Sequence, residues 1–246
     1  MEVTEYIPDW EYIVWNWAFW GFNITLKSIF NKINSYMNNQ LHDLLQKALQ
    51  LNSLNLSPDA VKKLAHYLAL LQKWNAVYNL TSITIPNEMV YLHIIDSLSI
   101  QPYLNGKRLL DVGSGAGLPG IPLAIINPDQ HWALLDKNSK KTRFQTQAIA
   151  ELGLTNVEAL HHRCEDFHPD QGFDTIVSRA FASLQTFVDT TQHLLAPDGI
   201  WLAMKGQYPE DEIMNLPKTV EVIKIERIII KGINIDRHIV SLRPKK

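Results

Sequence analysis

The segment Leu109-Leu110-Asp111-Val112-Gly113-Ser114-Gly115-Ala116-Gly117 constrains this chain more than any other. A short apolar run ends in an acid, and three glycines follow at alternate positions. The run reads as a strand buried in a parallel sheet. Glycines directly after it let the backbone enter positive φ and let a ligand come close to the main chain. Helix-forming residues resume at Ile121. The next apolar run, Trp132-Ala133-Leu134-Leu135, closes on Asp136, 23 residues after Gly113 (136 − 113). An acid at the tip of a second strand is placed to hold a ribose diol. Glycine loop and spaced acid together point to a nucleoside-type cofactor in a doubly wound α/β domain.

Two glycine patterns overlap in this loop. Gly115-x-Gly117-x-x-Gly120 has the form of a dinucleotide fingerprint. That fingerprint begins at the strand end and sets a helix N-terminus on a pyrophosphate. Here the strand end meets Gly113, and the sixth position from it is Leu118. Pro119 and Pro122 indicate a late helix start, because proline suits a first turn and not a helix interior. An acid before Gly-x-Gly-x-Gly resembles the first motif of class I S-adenosylmethionine methyltransferases, whose loop packs on the methionine part and holds no pyrophosphate. A nicotinamide dinucleotide site and a ligand-free strand–turn–helix stay open as alternatives.

Length and composition suit an ordinary cytoplasmic enzyme. A chain of 246 residues, 46% apolar, has material for one large core plus an appendage. Cys164 is the single cysteine, so no disulfide forms within the chain. No apolar run is long enough for a membrane helix, and no stable membrane association is expected. The overall charge of −2 carries no nucleic-acid signature, but its distribution is uneven. Residues 205–246 hold 9 Lys/Arg against 6 Asp/Glu, net +3; residues 41–204 hold 12 against 15, net −3. The basic end suits contact with phosphate, or a solvated tail. A monomer is expected, since no coiled-coil seam is visible.

The chain divides into three parts. Residues 1–36 hold four of the seven tryptophans, Trp10, Trp15, Trp17 and Trp20. They lack the basic start and cleavage site of a signal peptide, and Met37 reads as a more natural start, so this segment is expected to be a non-homologous extension. Residues 37–105 read as a helical cap. Leu41, Leu44, Leu45, Ala48 and Leu49 make one helix face. Ser57 and Pro58 open a second helix as N-cap and first residue, running through Trp74 until Asn79-Leu80-Thr81 breaks the pattern. Pro86 opens a third through Leu98, with His93 and Asp96 three apart. Residues 106–246 read as the α/β domain. Its strand-like runs are Arg108–Val112, His131–Asp136, Val157–His161, Phe173–Ser178, Ile200–Lys205, Val220–Ile230 and His238–Leu242. Helical patterns around 121–127, 138–152 and 184–195, with a short connection at 165–168, separate the first five. This alternation predicts right-handed βαβ units and a mostly parallel sheet. The last two runs predict a terminal antiparallel hairpin.

Several motifs then agree in order and spacing. Lys73-Trp74-Asn75, Tyr78-Asn79-Leu80-Thr81-Ser82 and His93-Ile94-Ile95-Asp96-Ser97 lie in the cap. Asp111 through Pro122, Ser178 through Leu184, Lys205-Gly206-Gln207 with Pro209-Glu210-Asp211-Glu212, and Arg237-His238 follow. Together they resemble the RsmG (GidB) family over about Met37 to Ile239. The resemblance implies a class I, Rossmann-like methyltransferase fold with seven strands and an N-terminal helical cap. It implies methyl transfer from S-adenosylmethionine to N7 of one guanine in 16S rRNA of the bacterial small ribosomal subunit. Another RNA or a small molecule is the alternative acceptor, and a non-catalytic binding module is a third class.

Site residues follow by position and resemblance. Gly113, Gly115 and the backbone through Leu118 are expected to line the methionine moiety, with Asp111 supporting the loop. Asp136 is the ribose candidate. Cys164 and Glu165 end the third strand run, where this fold cradles adenine, and the resemblance puts cofactor contacts on both. Cys164 sits in an acid-rich turn and is expected to be structural, not a nucleophile. By resemblance Arg179 binds cofactor or substrate, and with Asn79 and Arg163 it makes up the candidate catalytic group. Lys140, Lys205, Arg237 and His238 are candidate RNA contacts; Lys140 shares its helix with Lys141 and Arg143, where a solvated face and a phosphate track are equal readings. Asn79 and His93 are candidates to shape a guanine pocket from the cap, with satisfied structural polar residues as the equal alternative. No metal site is expected. Guanine N7 carries an in-plane lone pair and no proton, so its methylation needs no general base, and positioning should dominate.

Overall fold

The computed structural model describes residues 39–179 and 181–245. The tryptophan-rich segment 1–36 lies outside the described residues. From Leu41 onward the chain packs as one unit.

Helical residues 41–51 (α1) put Leu41, Leu45, Ala48 and Leu49 into the core. Helix α2, Pro58–Tyr78, starts as its sequence dictates: the Ser57 side chain accepts the Ala60 N–H at 3.2 Å, and Pro58 fills the first turn. It ends at Asn79, which takes φ 50° as a left-handed cap and donates its N–H to the Asn75 carbonyl. Pro86–Met89, Val90–Ile95 and Asp96–Leu98 run on as one helical segment, α3, whose middle stretch is π-helical. Single π turns of this kind often fall at functional sites.

The remainder is a seven-stranded sheet in the order β3-β2-β1-β4-β5-β7-β6. Its strands are β1 Arg108–Val112, β2 His131–Asp136, β3 Val157–His161, β4 Phe173–Ser178, β5 Leu195–Lys205, β6 Val220–Arg227 and β7 His238–Pro244. β1 to β5 pair in parallel, while β7 lies antiparallel between β5 and β6. Helices α4 Gly120–Ile126, α5 Ser139–Leu152, α6 Leu184–Thr191 and α7 Glu210–Met214 complete the chain.

The apolar runs are continuous because the central strands are buried on both faces. Leu109, Trp132 and Leu134 face one cluster, which also takes in α1, α2 and α3. Leu110, Val112, Ala133 and Leu135 face the other, under α6. The helical segment and one face of the sheet therefore share a single core.

Several boundaries differ from the sequence expectation. β6 stops at Arg227, after which the chain leaves the sheet and Ile230 turns inward to 3% exposure. Gly232 then passes so close to Tyr91 at φ +104° that a Cβ would sit 2.5 Å from its hydroxyl. β5 begins at Leu195, five residues early, through a register shift against Phe173 and Thr175. Helix α6 correspondingly closes at Thr191, with a 3-10 turn Gln192–Leu194 in place of its last turn.

Candidate active site

The strand order reverses direction between β1 and β4, and clefts at such a switch point receive ligands outside the strand C-termini. Two cavities open there and meet at Gly113. One, about 360 Å³, lies over β1 to β3 and is lined by Asp136, Lys137, Lys141, Arg163, Cys164 and Glu165 among others. The other, about 400 Å³, lies toward the helical cap and is lined by the loop 113–116, Leu118, His93, Asp96, Arg179, Lys205 and Arg237 among others.

The loop between β1 and α4 is a built cradle. Gly113, Gly115 and Gly117 take φ of 70°, 60° and 83°, conformations costly for residues with a Cβ. Gly113 and Ser114 donate their N–H groups to the Leu135 carbonyl at 2.8 and 3.2 Å. Gly117 is pinned against Ile121, with which a Cβ would collide. Gly115 faces open space: a Cβ there would find only Gly113 O and Lys141 Nζ, each 3.9 Å away. A close approach to the main chain is thus available at Gly115 and not at Gly117.

Side chains from several elements outside the loop fix it. Tyr67 of α2 donates its hydroxyl to the Ala116 carbonyl at 2.7 Å. Gln145 of α5 donates to Ser114 Oγ and Gly115 O, both at 2.8 Å. Asp111 accepts the Gly120 N–H on Oδ2 at 2.9 Å, the loop-supporting role expected of it. Its Oδ1 is buried without a hydrogen-bond partner. Burial pushes the Asp111 carboxyl up to about 7, against the pull of the Gly120 hydrogen bond and of Arg179.

Asp136 closes β2 at 6% exposure. Its Oδ2 accepts the Gly115 N–H and its Oδ1 the Asn138 N–H, each at 2.8 Å. Each oxygen keeps a lone pair for a further donor. Cys164 is buried beside this cavity and donates Sγ–H to the Thr190 carbonyl at 3.5 Å. Burial, with Glu165 adding to it, pushes its thiol up to about 12, so it carries no thiolate at neutral pH.

The second cavity draws on widely separated elements. Arg179 follows β4 and Arg237 precedes β7. Arg179 Nη1 lies 3.3 Å from Asp96 Oδ2, and Arg237 Nε lies 2.8 Å from Asp96 Oδ1. Asp96 itself is 1% exposed. Lys205, at the end of β5, pairs with Glu212 of α7 at 2.8 Å, and the same Glu212 oxygen accepts the Leu184 N–H that opens α6. His93 Nε2 bonds Thr81 Oγ1 at 3.2 Å. Burial, helped by Arg179, lowers the His93 pKa to about 4, so the ring is neutral.

The structure gathers most of the sequence candidates but not all. Gly113 lines both cavities; Gly115, Leu118, Arg179, Lys205 and Arg237 line the cap-side cavity. Asp136, Cys164 and Glu165 line the other, and so does Arg163, which therefore sits away from Arg179's cavity. Asn79 is an exposed helix cap, and its neighbour Asn75 does the local bonding, accepting the Thr81 N–H at 2.8 Å. Lys140 is exposed outside both cavities, where Lys141, next along the helix, turns inward. His238 is buried under the edge of Tyr208, ring centroids 5.8 Å apart, and does not line either cavity. Sequence reasoning missed Asp96 as the shared carboxylate, and missed Tyr67 and Gln145 as loop supports. The i, i+4 spacing of Lys141 and Gln145 was the available signal, since it puts both on one face of α5.

Comparison with known proteins identifies a family. The family model described as GidB, rRNA small subunit methyltransferase G, matches residues 60–240. The ribosomal RNA small subunit methyltransferase G of Nitrosococcus oceani is 50% identical over 204 residues, covering 83% of this chain and 95% of that protein. Its counterpart in Escherichia fergusonii is 43% identical, covering 85% of this chain and 100% of that protein. Among solved structures, the glycopeptide N-methyltransferase MtfA complexed with S-adenosylmethionine superposes with a TM-score of 0.54 at 11% identity, over 63% of this chain and 88% of that one. That likeness is one of fold.

Proposed function

The chain belongs to the GidB family of rRNA small subunit methyltransferases, and from that premise we propose that it transfers a methyl group from S-adenosylmethionine to N7 of one guanine in 16S rRNA of the bacterial small ribosomal subunit. The observation that carries the reading is the pair of cavities meeting at Gly113. One suits a nucleoside cofactor and the other an anionic acceptor.

The residues present fit the cofactor. The open face of Gly115, on the cap side of the junction at Gly113, leaves room for a methionine chain against the backbone, and the spare lone pairs of Asp136 in the other cavity suit two ribose hydroxyls. Cys164 and Glu165 border the far end of that cavity, where adenine would lie. When bound, S-adenosylmethionine supplies an electrophilic methyl on a sulfonium.

The chain's own contribution is orientation. N7 has its lone pair in the ring plane and needs no base to expose it. Neutral His93 and the protonated Cys164 thiol match a reaction that requires neither proton abstraction nor a covalent enzyme intermediate. Arg179 stands where a guanidinium can donate to guanine O6 or a phosphate. The base must leave its stack to enter a cavity of this size, so the substrate is an exposed or flipped guanine. We take the substrate to be rRNA within a small-subunit particle, and the enzyme to be a cytoplasmic monomer whose cap spans residues 37–105.

The test uses purified protein, labelled S-adenosylmethionine and small subunits lacking the modification, followed by digestion and nucleoside analysis. One 7-methylguanosine per particle is expected, with free GTP inert. A different methylated nucleoside, or equal turnover of GTP, rejects the substrate.

A further inference from the structure

We propose that Asp96 is a positioning residue for this reaction: its one carboxylate sets Arg179 and Arg237 side by side as a receptor for the phosphodiester of the nucleotide entering the cap-side cavity. The proposal rests on the rRNA reading above.

Three elements distant in sequence converge on this carboxylate. Asp96 lies on α3, Arg179 follows β4 and Arg237 precedes β7, at separations of 83 and 141 residues from Asp96. The Asp96 side chain is only 2% exposed, whereas the two arginines are 25% and 28% exposed and line the cavity. A buried carboxylate is costly unless paired and hydrogen-bonded, and here both of its oxygens are engaged. One arginine would suffice to neutralise it.

The second arginine is surplus charge. Lys205 is matched by Glu212, and His93 stays neutral, so Asp96, Arg179 and Arg237 leave one net positive charge facing the cavity. In an RNA substrate the group that answers a surplus guanidinium beside a base is the backbone phosphate, whose oxygens match the arginine fork. Phosphate contacts fix register while base contacts specify. A clamp at this point would hold the nucleotide while its N7 is aligned over the cofactor loop.

The π-helical stretch contributes directly. The Asp96 N–H reaches back five residues to the Tyr91 carbonyl. It does not take the Leu92 carbonyl, which instead accepts Arg179 Nη1 at 3.3 Å. One backbone acceptor and one carboxylate oxygen from the same helical turn thus hold the same guanidinium nitrogen.

Asp96→Asn separates positioning from charge balance. If Asp96 only offsets positive charge, its loss makes the cavity more cationic, and KM for subunits falls while kcat holds. If it positions the arginines, kcat falls by about 10-fold or more, subunit KM moves by less than about 3-fold, and cofactor Kd is unchanged. Asp96→Glu, which keeps the charge, should recover part of kcat. An Asp96→Asn enzyme with kcat within about 2-fold of wild type overturns the proposal. Should Asp96→Asn not fold, Arg179→Lys and Arg237→Lys carry the test in a double-mutant cycle. Two arginines sharing one carboxylate should show non-additive losses in kcat, and additive losses overturn the clamp. Wild type run alongside keeps the two claims apart. Absence of transfer by wild type rejects the rRNA reading, whereas full transfer by both wild type and Asp96→Asn rejects only the clamp.

Discussion

The two cavities that meet at Gly113 are built in opposite ways. The cofactor-side cavity is assembled from successive βα connections: the loop after β1, the tip of β2 and the turn after β3. Each contributes a residue where its strand ends, and the parallel register carries them to one edge. The cap-side cavity follows that plan only in part. Its charged lining comes from α3, the residue after β4, the end of β5 and the residue before β7. A parallel sheet delivers the first kind of site almost automatically. The second exists only once the cap helices have docked on the sheet and shared its core.

The division predicts that variants on the two sides fail differently. Gly113→Asp should have the largest effect. It puts a side chain at φ 70° and a carboxylate at the junction of the cavities. Cofactor Kd is expected to rise by about 100-fold or more, with methyl transfer lost in parallel and the melting temperature little changed. Calorimetric titration with S-adenosylmethionine measures it directly. A Gly113→Asp protein that binds cofactor normally yet fails on subunits would merge the two cavities into one functional unit.

Lys205→Gln should act on the other side and more weakly. Lys205 is 13% exposed and already paired with Glu212, so its charge is partly spent within the protein. Subunit KM is expected to rise by about 5-fold, the salt dependence of binding to flatten by about one unit of slope, and cofactor Kd to stay put. A change in cofactor Kd instead would show that the Lys205–Glu212 pair acts through α6, whose first N–H Glu212 holds.

The same contrast explains what was legible in the chain. The inner strands β1, β2, β4 and β5 were readable because two-sided burial writes continuous apolar runs, whereas the edge strands β3 and β6 are only partly buried and mix polar with apolar residues. The Ser57 cap, the glycine loop and the Asp136 tip were readable because each is decided within a few residues. Asp96 was not, since nothing near it in sequence names partners 83 and 141 residues away. Two further cases turn on a single position. Lys141 lines the cofactor cavity while Lys140 faces solvent, because one step along a helix rotates the side chain by about 100°. Arg237 lines the cap-side cavity while His238 does not, where β7 begins. Composition names the basic residues at such places, but only the phase of the element selects among them.

Asp111 offers the smallest and most specific test, because it lies beneath the loop where the two cavities join. Its buried carboxyl titrates near 7 in the folded protein against an ordinary 3.8. Between those values the folded state binds more protons than the unfolded one, so stability from this group falls as pH rises from about 4 to about 7 and is flat above. His93 works against it. Held neutral with a pKa near 4 against 6.5, it adds stability as pH rises through part of the same window. The two groups therefore offset each other in part in wild-type melting curves. The difference between Asp111→Asn and wild type removes the histidine contribution, since His93 is common to both. Asn keeps the oxygen that accepts the Gly120 N–H and cannot ionise. The melting-temperature advantage of Asp111→Asn should grow by about 5–10 °C between pH 5 and pH 7.5 and then level off. A difference independent of pH over that range would mean that Asp111 is ionised throughout. The unpartnered Oδ1 would then have to be answered by positive charge from Arg179, and the loop would take its electrostatic support from the cap-side cavity.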